Sequence, residues 1–130
     1  MHVLVGTDII EVDRVKDSID TLGDKFINKI FTSDEIDYCS KSKENQYQHY
    51  AARFAAKEAT FKAISTLLTD KYSVSWKNAS VINDIDGKPS IEFNDLSKEV
   101  EKELKVIKSI DVSLSHLKDY AVANVTVLIE

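Results

Sequence analysis

The chain reads as an α+β domain in which a mainly antiparallel sheet packs on one long central helix, with short accessory helices around it. Three observations lead there. An alanine-rich run from about Glu44 to about Leu68 contains neither Gly nor Pro and carries Tyr47, Tyr50, Phe54, Phe61, Ile64 and Leu68, which predicts the central helix. Two alternating segments, Val74 to Asn83 and Pro89 to Phe93, flank Asp86-Gly87, a strong hairpin signal. Two further strand-like segments, Ile107 to Leu114 and Tyr120 to Ile129, close the sequence around Ser115-His116-Leu117-Lys118-Asp119.

The remaining elements follow in order. Val3 to Asp8 is a buried-strand run, and Glu11 to Leu22 has loosely helical spacing until Gly23 interrupts it. Asp24 to Phe31 places Phe26, Ile27, Ile30 and Phe31 on one side of another short helix. Thr32 or Ser33 ahead of Glu35 is a start signal for the next. After the hairpin, Asn94 or Asp95 is expected to cap a helix from Leu96 to Leu104, its side-chain oxygen accepting from an unpaired backbone amide. No internal repeat is present, and Trp76 is expected in the core.

Composition bounds the function. The chain has 130 residues, 43% hydrophobic and 30% charged, with one Pro and three Gly; no stretch reads as a linker or low-complexity tail, so residues 1–130 are expected to form a single domain. A net charge of -5 argues against a general nucleic-acid binder, which needs a dominant basic face. The apolar start, Met1 to Asp8, is too short for a signal peptide and nothing later approaches a membrane span, so a cytosolic protein is expected. Cys39 is alone, which excludes an intramolecular disulfide; with no histidine obviously nearby it is expected to be a spectator.

The chemistry-bearing residues are two distant acids. Asp8 ends the first hydrophobic run within Gly6-Thr7-Asp8-Ile9-Ile10-Glu11, and Glu58 lies in the central helix with Arg53, Lys57 and Lys62. Magnesium takes oxygen ligands, keeps several waters and commonly uses one or two carboxylates plus substrate phosphates, so Asp8 and Glu58 are a sufficient protein contribution to such a site. Glu58 and Lys62 are four apart and share a helix face; that spacing is equally the spacing of an ordinary surface ion pair. His116, at the end of an apolar strand, is placed either to donate to a phosphate or to close a turn. No His-x-x-x-His or Cys-His spacing suggests zinc, and no Walker loop or dinucleotide fingerprint occurs.

Five segments in register carry a resemblance: Gly6-Thr7-Asp8-Ile9-Ile10-Glu11, Phe31-Thr32-Ser33-Asp34-Glu35, Arg53-Phe54-Ala55-Ala56-Lys57-Glu58-Ala59, Gly87-Lys88-Pro89 and Ser113-Leu114-Ser115-His116. Together they resemble the small holo-acyl-carrier-protein synthases, which are 4'-phosphopantetheinyl transferases, over nearly the whole chain. The resemblance implies that fold and the magnesium-dependent transfer of phosphopantetheine from coenzyme A to a serine of apo acyl carrier protein, with release of adenosine 3',5'-bisphosphate. It also implies a homotrimer with active sites at subunit interfaces.

Carried to matching positions, it implies Asp8 and Glu58 as magnesium ligands and Lys62 as the cation beside the pyrophosphate. Arg53 and His116 correspond to positions binding coenzyme A phosphates, with Lys57 beside them as a further cofactor-binding residue, and Gly87, Lys88 and Pro89 to a loop against the adenine. The proton acceptor for the serine is either Glu58 or a water held by the metal and Asp8, the water being the preferred reading. Arg14, Lys16, Lys25 and Lys29 are the expected docking residues for the carrier protein, although Arg14 and Lys16 are interspersed with Glu11, Asp13, Asp17 and Asp20. Where the family has a Gly-Thr-Gly turn after the central helix, this chain has Ser65-Thr66-Leu67, which should lengthen the helix or change how backbone amides meet the ligand. Two other readings stand beside this one: a catalytically weakened member that binds coenzyme A or carrier protein, and a non-enzymatic oligomeric domain in which these charges form only structural ion pairs.

Overall fold

The computed structural model describes residues 1–130. Strand β1 (His2–Glu11) runs directly into α1 (Val12–Leu22); α2 (Asp24–Ile30) and α3 (Ser33–Ser40) follow, and then the long α4 (Gln46–Ile64). A hairpin of β2 (Ala79–Asn83) and β3 (Pro89–Phe93) precedes α5 (Lys98–Leu104), β4 (Ile107–His116) and β5 (Tyr120–Ile129). The main sheet has the order β1-β5-β4 and is antiparallel throughout, while β2 and β3 form a separate two-stranded sheet.

Alternation along the strands decides what α4 meets. Leu4, Gly6, Asp8 and Ile10 of β1 point to the same face as Ala121, Ala123, Val125 and Val127 of β5, which are fully buried. Helix α4 lies on that face. Its Ala51, Ala52, Ala55, Ala56, Ala59 and Ala63 are all buried, and because alanine projects only a methyl group the helix backbone comes close to the sheet. Two apolar clusters result, one between α4, α5 and the sheet around Ile64 and Val127, the other between α1, α2, α3 and α4 around Phe31 and Tyr50. The opposite face of the sheet is uncovered, and on β1 it leaves Val3, Val5 and Ile9 more than half exposed.

Several boundaries differ from the sequence expectation. The Thr32 start signal is realised as a capping box: the Thr32 hydroxyl accepts from the Glu35 amide and the Glu35 carboxylate accepts from the Thr32 amide. The strand expected from Val74 begins only at Ala79, because Ser75 caps a 3-10 turn over Trp76–Asn78. Helix α5 is capped by Ser97, whose hydroxyl accepts from Val100 N, not by Asn94 or Asp95; Asp95 instead turns the chain with φ 56°. Trp76 is half-buried, stacked on Phe54 and edge-on to Phe61, so it forms a wall instead of core. Helix α4 ends at Ile64, and Ser65–Leu67 follows as one 3-10 turn. No helix is long and apolar enough to cross a membrane.

Candidate active site

Asp8 is the β1 residue two positions beyond Gly6 on the face that α4 covers, and Glu58 is the α4 residue immediately before Ala59, which Gly6 touches. The close contact of strand and helix therefore brings both carboxylates into one cleft of about 400 Å³, lined also by Ile9, Ile10, Arg14 and Phe54. Lys62, one turn beyond Glu58, donates to Asp8 Oδ1 and to the Thr7 carbonyl, each at 3.1 Å. Burial raises the pKa of Glu58 above its usual value; the Asp8 charge adds to this and Lys62 opposes it.

At Glu58 the Asp8 charge outweighs that of Lys62, an electrostatic condition that a divalent cation relieves. No third His, Cys, Asp or Glu joins them, so the donor set suits an ion that keeps waters and shares phosphate oxygens, as magnesium does, and not a closed structural metal. Beside the cleft and sharing Glu58, a second slot is lined by Phe61, Lys62, Ser65, Lys71, Val74 and Trp76.

Arg53 and His116 lie elsewhere. They line a separate groove with Tyr38, His49, Asn83, Gly87 and Pro89, and none of its residues belongs to the carboxylate cleft. The Arg53 guanidinium lies 3.9 Å over the Tyr38 ring and donates to Asn83 Oδ1 at 2.8 Å. Asn83 in turn donates to the Gly87 carbonyl at 3.0 Å, so Arg53 and the hairpin loop are joined through a residue the sequence reading did not single out. Gly87 has φ 84°, the left-handed region that glycine enters freely. Lys88 is exposed in the turn between Gly87 and Pro89.

Lys57 joins neither site, which corrects its expected role in binding the cofactor. Its ammonium is fully buried against Glu35, with Nζ 2.8 Å from Oε1, and donates to the Trp76 and Ala79 carbonyls at 2.6 and 2.5 Å. All three donor positions are thereby used inside the protein. Glu35 also accepts from Val81 N at 2.8 Å, so this pair fastens α3, α4 and the hairpin together. Arg14 is exposed at the rim of the carboxylate cleft, whereas Lys16 pairs with Asp20 at 3.7 Å; Lys25 and Lys29 are exposed on α2.

A β-strand carboxylate paired with a helix lysine beside a helix carboxylate, under this sheet order, coincides with a family match over residues 4–125, and the chain belongs to the 4'-phosphopantetheinyl transferase superfamily. It is 46% identical over 123 residues to the holo-[acyl-carrier-protein] synthase of Ruminiclostridium cellulolyticum, covering 95% of this chain and 90% of the relative. To the enzyme of that name from Solibacter usitatus it is 41% identical, covering 96% and 97%. Among solved structures, the Bacillus anthracis holo-(acyl-carrier-protein) synthase in complex with CoA (3',5'-ADP) superposes with a TM-score of 0.76 at 32% identity, covering 98% of this chain and 96% of that one.

Proposed function

We propose that this phosphopantetheinyl transferase is a holo-acyl-carrier-protein synthase, which moves the 4'-phosphopantetheine arm of coenzyme A to a serine of apo acyl carrier protein and releases adenosine 3',5'-bisphosphate. The observation that carries the reading is the convergence of Asp8 and Glu58 in one cleft, with Lys62 of the adjoining slot paired to Asp8, in a chain whose relatives over nearly their full length bear that name.

Asp8 and Glu58 are the residues that would hold magnesium, whose charge would neutralise the pyrophosphate and stabilise the departing phosphate. Lys62, free to turn from Asp8 to a phosphate oxygen, adds a positive charge where negative charge develops. With Glu58 engaged as a metal ligand, a water held by the metal and Asp8 would be the acceptor of the serine proton. Arg14 at the cleft rim gives an acidic carrier protein one basic contact beside the reacting atoms, and Lys25 and Lys29 are exposed on the following helix α2.

The separation of the two sites within one chain supports assembly as a homotrimer in which the carboxylate cleft of one protomer meets the Arg53 and His116 groove of the next. The uncovered sheet face, with Val3, Val5 and Ile9 exposed, is the apolar surface available for that contact. In this reading Gly87, Lys88 and Pro89 border the adenine, and Arg53 and His116 meet phosphates.

Incubating the protein with apo carrier, coenzyme A and magnesium, then weighing the carrier, tests the reaction: a gain of one phosphopantetheine is expected, and an unchanged carrier would reject it. Mixing inactive Glu58→Ala with inactive His116→Ala, after dissociation and reassembly, tests the shared site. Partial recovery of transfer is expected, because some interfaces then carry both intact halves; no recovery would leave the interfacial arrangement without support.

A further inference from the structure

The groove around Arg53 contains a second histidine to which the family pattern gave no role. His49 is half-buried in α4, one turn before Arg53. Its ring is edge-on to Tyr38 of α3 at 5.4 Å and to His116 of β4 at 5.8 Å. No Asp or Glu lines this groove. Arg53 is 3% exposed, has no carboxylate partner, and leaves its buried Nε without any hydrogen-bond partner. A buried guanidinium without a counter-charge is costly, and Arg53 lines the groove, where an anion can meet it. The titratable or charged groups facing His49 are Tyr38 from α3, Arg53 from α4 and His116 from β4.

We propose that His49 is a third anion-recognising group of this groove, neutral in the free protein and protonated when a phosphate monoester binds, so that ligand binding takes up a proton. This rests on the reading of the groove as a site for the phosphates of coenzyme A. Burial, Arg53 and His116 all disfavour the charged imidazole while the groove is empty of anion, holding its pKa below the usual value. A doubly charged phosphate placed between Arg53 and the two rings reverses the last two effects, since it screens the cations from one another and attracts a proton to the imidazole. The chain thereby couples nucleotide retention to acidity through a residue that touches neither the carboxylates nor the reacting phosphorus.

The test is calorimetric titration of the assembled protein with adenosine 3',5'-bisphosphate between about pH 6 and pH 8, in buffers of different ionisation enthalpy, for the native chain, H49F, H49Q and H116Q. H49F keeps a ring against Tyr38, and H49Q guards against a packing effect of the larger side chain. The phosphate's own titration near pH 6 is common to all four proteins and cancels in the comparison. The expected result is that affinity gained on acidification by the native chain exceeds that of both His49 variants severalfold, approaching but not passing the tenfold per pH unit that one proton permits. Equal pH slopes and equal proton uptake in native, H49F and H49Q would overturn the assignment while leaving the coenzyme A site standing. Absence of bisphosphate binding by the native chain at every pH would overturn both.

Discussion

Gly6 of β1 lies so close to Ala59 of α4 that a β-carbon on it would stand 1.9 Å from the Ala59 carbonyl oxygen and 2.8 Å from the Ala63 amide nitrogen. The obstructing atoms are main chain, so no rotamer change relieves the clash. Asp8 is the next residue on that face of the strand, and Glu58 is the residue before Ala59. The spacing of the two carboxylates is thus set by a contact that involves neither side chain.

Gly6→Ala is expected to cost about 1–3 kcal/mol by overpacking and to lower transfer further than the loss of folded protein explains, because strand and helix must separate at the site. Urea unfolding alongside the rate of carrier modification reads both effects. A variant with native stability and native rate would show that strand and helix are not in this contact.

Lys57 and Glu35 form a fully buried pair with every donor of the lysine engaged. Lys57→Met leaves the Glu35 charge without its partner and is expected to lower stability by about 3–5 kcal/mol. Replacing both residues with apolar ones is expected to cost less than the sum of the single changes, since neither charge is then stranded. The comparison is made by denaturant midpoints at constant slope. A neutral Lys57→Met would contradict the burial of this side chain.

The pKa of Glu58 is raised in the folded chain above the usual 4.5. A raised carboxylate pKa favours the folded state while the group is protonated, so this contribution is fully present below 4.5 and is lost as the pH rises through the folded-state value. In magnesium-free buffer, Glu58→Gln should therefore flatten the fall in thermal stability from about pH 4 to pH 7 and be more stable than the native chain at neutral pH, while losing transfer. Melting curves across that range check it. Identical pH profiles for the two proteins would remove the repulsion with Asp8 from the account of the site.

Cys39 is fully buried, and that burial pushes its thiol up to about 12. The thiolate is the reactive form, so alkylation in the native state should be slow at neutral pH and become fast only in denaturant. Mass spectrometry after brief exposure to iodoacetamide measures this; rapid native labelling would place Cys39 nearer the surface.

The strands and helices were legible where one periodicity dominates, as in β4, β5 and the hairpin around Asp86-Gly87, and the pairing of Asp8 with Glu58 was legible because both sat in short recognisable segments. The orientation of charges on α4 was not. That helix is buried on most of its circumference by alanines, so no polar stripe distinguishes Lys57, which points inward, from Lys62, which points to the cleft. Asn94, Asp95 and Ser97 are all capable caps, and the choice falls to Ser97 because it sets α5 in the register that buries Val100 and Leu104. Asn83 and His49 carried no local signal; only the folding of β2 and β4 beside α4 gives them Arg53 and His116 as neighbours.

Between Tyr50 and Ile64, the positions of α4 that escape full burial are Phe54, Glu58, Phe61 and Lys62, and those four border the cleft and the adjoining slot. The helix consequently has no idle position in that span: a replacement there meets either close packing or the reacting groups. Sequence drift in this protein should collect instead in exposed connections such as residues 41–45 ahead of the helix, leaving the span from Tyr50 to Ile64 slow to diverge.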